Sequence, residues 1–323
     1  MPDVVCFGEL LVDMMSEQPG VSLENAFTFE KNAGGAPANV AAGCASLGVS
    51  AGLITKLGND SFGRFLKNTI QEAGVDVSGV VMTDSYATQL AFVAISKYGV
   101  PDFEFHVKAP AHEQIAVHEV NAELIEQALV FHFGPLTLVN EPARSTTFAG
   151  VEMASAAGLV ISFDANYRKS LWPDGDAAYE LICQAAALSD IVKVNEAELA
   201  LITGTDDPHK GLKALVAMGP ELASVTLGAE GCAFANEIYY DEIAGIDVPA
   251  VVDTTGCGDA FVAASLVWLI KSDIDISDLT GEQTLQMYRH ANAAGAFATM
   301  TSGAIASMPD SDDLDRMMQH IYG

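Results

Sequence analysis

The stretch from residue 129 to 227 constrains the fold more than any other part of the chain. Short apolar runs at 129–133, 159–163, 191–194 and 222–227 alternate with helix-length segments at about 141–157, 174–187 and 196–202. Apolar runs this short, without polar alternation, suit strands covered on both faces. Neighbouring parallel strands need a crossover of a dozen or more residues, and a helix usually supplies it. The rhythm predicts an α/β protein: a central, mostly parallel sheet with helices on both faces. Half of the 323 residues are hydrophobic, enough to fill such a core within one large domain.

The remaining segments extend this plan. Residues 4–8 form a short buried strand that ends at Gly8. Asp60 starts a helical pattern with Phe62, Phe65, Leu66 and Ile70 on one face, and Gly74 stops it. Long helices are expected at about 258–272 and 282–299, with a last one near 312–322. Two stretches, about 12–32 and 86–108, carry β-type runs with no helix between them. They predict a small antiparallel sheet added as a flap to a single domain spanning 1–323. Residues 33–55 are free of charge, but they are mostly Gly, Ala and Ser and include Pro37 and Asn39. That composition rejects a membrane span.

Charge narrows the function. Against 43 acidic side chains stand 15 basic ones, a formal charge of −28. Nucleic-acid backbones and anionic membranes both need Lys and Arg, so neither is an expected partner. The acidic surplus reads as a solubility feature of a halophilic, salty cytoplasm, where screening shortens the repulsion. Cys6, Cys44, Cys183, Cys232 and Cys257 form no Cys-x-x-Cys pair. Neither a disulfide framework nor a zinc site is suggested, and no secretion signal is visible, so a cytoplasmic location is expected. P-loop, dinucleotide-fold, zincin and nucleophile-elbow motifs are absent. His112 and His118 read as surface residues.

Four elements carry possible chemistry. The strongest is Asp253-Thr254-Thr255-Gly256-Cys257-Gly258-Asp259. Glycines at a helix start expose consecutive N–H groups, a nest for an anion such as phosphate. Asp259 is expected to start that helix and face the anion, where a carboxylate can take a proton from an attacking hydroxyl. Read alone, the element is equally an ordinary glycine turn with Asp as cap. The second is Ala33-Gly34-Gly35-Ala36-Pro37-Ala38-Asn39, in which paired glycines allow close approach of a ligand and Asn39 offers a donor and an acceptor. A tight helix–sheet contact explains it as well. The third, Asn195-Glu196-Ala197-Glu198, sets a carboxamide and a carboxylate on one helical face. They suit a hydrated Mg²⁺, although alone they read as a solvated helix start. The fourth, Phe163-Asp164-Ala165-Asn166-Tyr167-Arg168, puts a forked cation at a strand end, a clamp for phosphate or hydroxyl.

Together the four elements resemble the PfkB, or ribokinase-like, family of carbohydrate kinases, over essentially the whole chain. Within the family the wording is similar to fructokinases, notably in Phe7-Gly8-Glu9-Leu10-Leu11-Val12-Asp13 and Asn166-Tyr167-Arg168-Lys169-Ser170-Leu171-Trp172. The resemblance implies the ribokinase-like fold with a β-sheet lid, and an ATP-dependent sugar kinase acting on the primary hydroxyl of D-fructose. It implies Asp259 as base, with the amides of Gly256, Cys257, Gly258 and Asp259 as anion hole. Asp13, Gly34, Gly35 and Asn39 would hold sugar hydroxyls, with Asn166 and Arg168 nearby and Phe105 stacking from the lid. Asn195 and Glu198 would organise Mg²⁺ and the ATP phosphates. Thr226, Gly228 and Gly231 resemble the nucleotide loop, and Asn292 and Gly303 would line the adenine and ribose side. A monovalent cation, K⁺, would sit at Asp253, Thr255 and Ser307. Lids of this family often pair across a homodimer.

The chain departs from the pattern in places. Cys257 stands where Ala is usual, which keeps the backbone role and adds a thiol beside the phosphate. Val107 occupies a lid position where kinases of acid sugars often carry Arg, which weakens the case for a carboxylate-bearing substrate. The alternatives are a kinase for 2-keto-3-deoxygluconate, ribose or a nucleoside, and a catalytically silent sugar-binding module.

Overall fold

The computed structural model describes residues 1–18, 20–95, 101–172 and 174–323, and no side chain at 101 or 102. The chain opens with β1 (Val4–Phe7), β2 (Leu11–Ser16) and β3 (Phe29–Gly34), then enters α1 (Ala36–Ser46). Next come β4 (Ala51–Gly58), α2 (Ser61–Glu72), β5 (Val80–Thr83), β6 (Leu90–Ile95), β7 (Pro101–Phe105) and a short α3 (Ala122–Glu126). Strand and helix then alternate: β8 (Val130–Phe133), α4 (Ala143–Ala157), β9 (Val160–Asp164), α5 (Gly175–Ala187), β10 (Ile191–Asn195), α6 (Glu196–Thr203), α7 (Pro208–Val216) and β11 (Leu222–Thr226). The hairpin β12 (Gly231–Ala235) and β13 (Tyr240–Ala244) leads to α8 (Cys257–Ser272), α9 (Gly281–Ala298) and α10 (Ser311–Tyr322).

The large sheet runs β13-β12-β11-β10-β9-β8-β1-β4-β5. All pairings are parallel except those of the β12–β13 hairpin. Because successive residues point to opposite faces, β1 contributes to two cores. Val4 and Cys6 join the layer of α1, α8 and α9, while Val5 and Phe7 join that of α4 to α7. Both faces are thus covered, as the apolar runs required. The expected strands and helices between 129 and 227 are present, shifted by a residue or two at their ends. Asp60 caps α2 as expected: its Oδ1 accepts from the N–H groups of Phe62 (2.9 Å) and Gly63 (2.8 Å), a contact worth roughly 1 kcal/mol.

Several expectations need correction. The small sheet runs β3-β2-β6-β7, and its central β2–β6 pairing is parallel, so it is mixed, not antiparallel. Strands on either side of a long excursion can pair in parallel because the intervening chain makes the return trip. The charge-free stretch at 33–55 holds the end of β3, all of α1 and the start of β4. In α8 the run Ala260–Val267 is buried on every side, because the helix packs against α1 and α9. His112 is buried, not a surface residue, and burial pushes its imidazole down to about 4; His118 is exposed. Among the described residues, no helix is long and apolar enough to cross a membrane.

Candidate active site

The carboxyl ends of β1, β9 and β10 meet the N-termini of two helices. At α8 the cap is Gly256, held at φ +82°, a left-handed conformation that suits glycine. Asp259 is therefore the third residue of the helix and does not start it. The first N–H groups of a helix lack intrahelical acceptors. Those of Gly258 and Asp259 find no acceptor elsewhere among the described residues. They form an open amide nest of the kind that binds an oxyanion; the Cys257 amide, expected to share it, instead donates to the Thr254 carbonyl at 3.3 Å.

Asp259 is 7% exposed, and its Oδ2 accepts a 2.7 Å hydrogen bond from Asn39 Nδ2. This contact ties the two glycine elements together although 220 residues separate them. Burial, helped by the charge of Asp164, pushes the Asp259 carboxyl up to about 6; Asn39, Lys193 and Arg168 oppose the rise. At neutral pH the group is ionised yet close enough to its midpoint to accept a proton. Asn39 keeps its own Oδ1 without a partner among the described residues. Burial holds the Cys257 thiol above its ordinary value, so it stays protonated beside the nest.

Beneath the nest lies a buried ion pair. Lys193 Nζ donates to both oxygens of Asp164, at 3.2 and 3.1 Å. Burial opposes the ammonium charge, but Asp164, Glu198 and Asp259 outweigh it and push Lys193 up to about 12. Asp164 also accepts from the Asn166 amide at 3.1 Å. A Cβ on Gly258 would lie 3.0 Å from Lys193 Nζ, so the ammonium reaches up to the backbone of the nest.

A second group of carboxyls surrounds the N-terminus of α1. Glu9 Oε1 accepts from the Ala36 amide at 2.9 Å, and its Oε2 is buried without a partner among the described residues. Burial pushes Glu9 up to about 7, with Asp259 adding to the rise and Arg168 opposing it. Asp13 on β2 is also raised to about 7, first by burial and then by Asp253. Gly34 must be small, since a Cβ there would collide with the Asp13 carboxylate. Gly35 packs equally close to the backbone of Glu9. Asn32 lies beside Asp13 across the β2–β3 pair, and its Nδ2 is buried without a partner among the described residues. Arg168 is exposed and acts on Glu9, Asp13 and Asp259 through its charge. Phe105 belongs to the small sheet and packs against the cluster of Leu11, Ala91 and Val93.

The residues assigned to nucleotide and ions are mostly committed to the loops that carry them. Asn195 Oδ1 accepts from the Glu198 amide (2.9 Å), and Glu198 Oε2 accepts from the Asn195 amide (2.8 Å), a capping box for α6. Glu198 Oε1 accepts from the Tyr167 amide at 2.8 Å. The carboxylate is buried rather than solvated, and burial raises its pKa while Lys193 opposes the rise. Asp253 bridges two loops, accepting from Thr255 N (2.9 Å) and Gly303 N (3.1 Å). Ser307 is buried and donates to the Ala304 carbonyl. Thr226 Oγ1 points back to the Val194 carbonyl, at 3.5 Å. Gly228 faces open space, whereas Gly231 is forced by the hairpin, where a Cβ would strike the Ile243 carbonyl. Asn292 Nδ2 donates to the Ala244 carbonyl at 3.0 Å. Among the described residues no three His, Cys, Asp or Glu cluster to hold a metal.

The structure thus brings Asp259, Gly256, Gly258, Asn39, Gly34, Gly35, Asp13 and Arg168 into one site, with Asn166 tied to its floor. Asn292 and Gly231 serve neighbouring structure. Sequence reasoning missed Lys193, Asp164, Glu9 and Asn32. One signal was available: Lys193 interrupts the apolar run Ile191-Val192-Lys193-Val194, and a charge in a strand covered on both faces needs a partner.

Comparison with known proteins points the same way. Residues 1–311 match the family described as pfkB family carbohydrate kinase. The chain is 39% identical to Fructokinase-1 of Zea mays over 318 residues, covering 98% of this chain and 97% of that one. The crystal structure of a fructokinase with bound ATP from Xylella fastidiosa superposes with a TM-score of 0.90 at 31% identity, covering 99% of each chain. A fructokinase double mutant from Vibrio cholerae O395, in fructose, ADP and potassium ion bound form, gives 0.87 at 30% identity over 98% of each chain.

Proposed function

Since the chain belongs to the pfkB family of carbohydrate kinases, we propose that it transfers a phosphoryl group from ATP to the primary hydroxyl of D-fructose, giving fructose 6-phosphate. The observation that carries this reading is the Asn39–Asp259 contact at the mouth of the amide nest. A carboxylate of near-neutral pKa stands there between a place for a hydroxyl and a place for an anion. Asp259 takes the hydroxyl proton. The sugar oxygen forms the new O–P bond as the bond to the leaving ADP oxygen breaks, and the electron pair departs with ADP. The nest amides of Gly258 and Asp259 hold the charge that builds on the phosphoryl oxygens. The carboxyls around α1, with Asn39, orient the sugar. The sheet formed from about 12–32 and 86–108 acts as the lid that excludes water.

Mg²⁺ bound with the nucleotide supplies neutralisation of phosphate charge. Its proposed residues are Asn195 and Glu198. Both Glu198 oxygens already accept amide hydrogens, which suits a hydrated ion contacted through water more than a caged one. A K⁺ beside Asp253, Thr255 and Ser307 belongs to the same reading, supported by the potassium named in the Vibrio fructokinase structure. So does a cytoplasmic location, supported by five free cysteines. Pairing of two copies through their lids also belongs to it, supported by the exposed Phe27 and Phe103.

Fructose is favoured by the names of the relatives, and Val107 weakens the case for a sugar that bears a carboxylate. A coupled ADP-release assay over fructose, ribose, 2-keto-3-deoxygluconate and nucleosides tests this. The expected result is turnover on fructose. Turnover confined to another sugar reassigns the substrate, and none on any sugar revives the silent binding module.

A further inference from the structure

Lys193 sits in the middle of a strand covered on both faces, an expensive place for a charge. Pairing with Asp164 offsets that cost, but two apolar side chains would fill the same space at no electrostatic cost. Stability therefore does not explain the pair. Its location does suggest a use, because the ammonium lies directly against the amide nest. The residue above it is a glycine whose Cβ would come within 3.0 Å of Nζ.

The surrounding charges sharpen the point. Asp164, Glu198 and Asp259 all face Lys193, and a transferring phosphoryl group would add further negative charge. Arg168, also near the site, is exposed, and its charge acts on Glu9, Asp13 and Asp259 from the surface. An ammonium has three N–H donors. Asp164 receives bonds of 3.1 and 3.2 Å, longer than the roughly 2.7–2.9 Å of a tight charge-assisted bond. The ammonium is thus held in place, not saturated.

We propose that Lys193 is a catalytic residue whose ammonium, from the floor of the nest, donates a hydrogen bond to an oxygen of the phosphoryl group in transit. Asp164 anchors it, and Gly258 leaves the opening through which it reaches. The proposal rests on the kinase reading. It adds no proton transfer: the hydroxyl proton still goes to Asp259, the O–P bond forms to the sugar oxygen, and ADP leaves with the electron pair.

The wild-type protein crystallised with ADP, Mg²⁺, fructose and aluminium fluoride is the direct test. Nζ is expected within about 3 Å of a fluoride; Nζ bonded to Asp164 alone overturns the proposal. Solution measurements use Lys193→Met and the double variant Lys193→Met with Asp164→Leu, which removes the stranded carboxylate. The double variant is expected to recover the wild-type thermal midpoint while its turnover number stays ~10²–10³-fold low, the range for losing one such donor. Recovery of turnover together with stability shows a purely structural pair and overturns the proposal. Failure of the kinase reading itself shows separately, as a wild-type enzyme idle on every sugar.

Discussion

The two halves of the site are built from opposite electrostatic materials. Around the N-terminus of α1, burial, helped by the charges of Asp253 and Asp259 for Asp13 and of Asp259 for Glu9, pushes Glu9 and Asp13 up to about 7. Around the N-terminus of α8 stand open amide hydrogens and a lysine held at about 12. The first set suits a neutral, hydroxyl-rich ligand, because carboxyls near neutrality can both give and accept hydrogen bonds. The second suits an anion. Asp259 lies on the border, touching Asn39 on one side and standing in the first turn of α8 on the other. A residue that must meet a hydroxyl and a phosphate at once belongs at such a border.

Three experiments can break or sharpen this contrast. The largest effect is expected for Asp259→Asn: a turnover number lower by ~10²–10⁴-fold, the usual worth of a general base, with the thermal midpoint retained. Near-normal turnover would remove Asp259 from the mechanism. A smaller effect is expected for Asn39→Ala, which deletes the bond that lowers the Asp259 pKa. The acid limb of kcat/KM, near pH 6 in the wild type, should move to higher pH. At pH 6 the loss should be roughly tenfold, since a hydrogen bond to a charged group contributes about 1.5–3 kcal/mol. An unmoved limb would show that another group governs it.

The smallest effect concerns stability. Glu9 and Asp13 bind protons more tightly folded than unfolded, where values near 4.5 and 3.8 apply. Their contribution to stability is full below about pH 4 and is lost as pH rises through about 7. The thermal midpoint of the ligand-free protein should therefore fall between pH 5 and 8, while activity rises over the same range. Glu9→Gln should flatten that fall. If its slope matches the wild type, the carboxyls around α1 are not the source. General repulsion from the −28 charge acts in the same direction, so the variant is the decisive comparison. The reading of that charge as adaptation to salt gains no support from the relatives.

Much of the frame was legible in the residues. The strand–helix rhythm from 129 to 227, the Asp60 cap and both glycine elements appear where periodicity and capping chemistry put them. β4 was hidden because its Gly- and Ala-rich start lacks a strand's branched side chains. The β12–β13 hairpin was hidden because Gly231 and Gly245 mark it less by type than by the close backbone approach each permits. The parallel β2–β6 pairing joins segments more than 70 residues apart, beyond the reach of any local pattern.

The sequence by itself determined the layered α/β architecture, the nest before α8 and the presence of an acid beside it. These follow from local rules: periodicity selects strand or helix, and glycine selects the turn. Only the tertiary structure decided which groups meet. Asn39 reaches Asp259 across 220 residues, Lys193 finds Asp164 on the neighbouring strand, and Glu9 is buried beneath α1. Those contacts set the charge each group carries, because burial and neighbouring charge, not residue type, decide where a carboxyl or an ammonium gives up its proton.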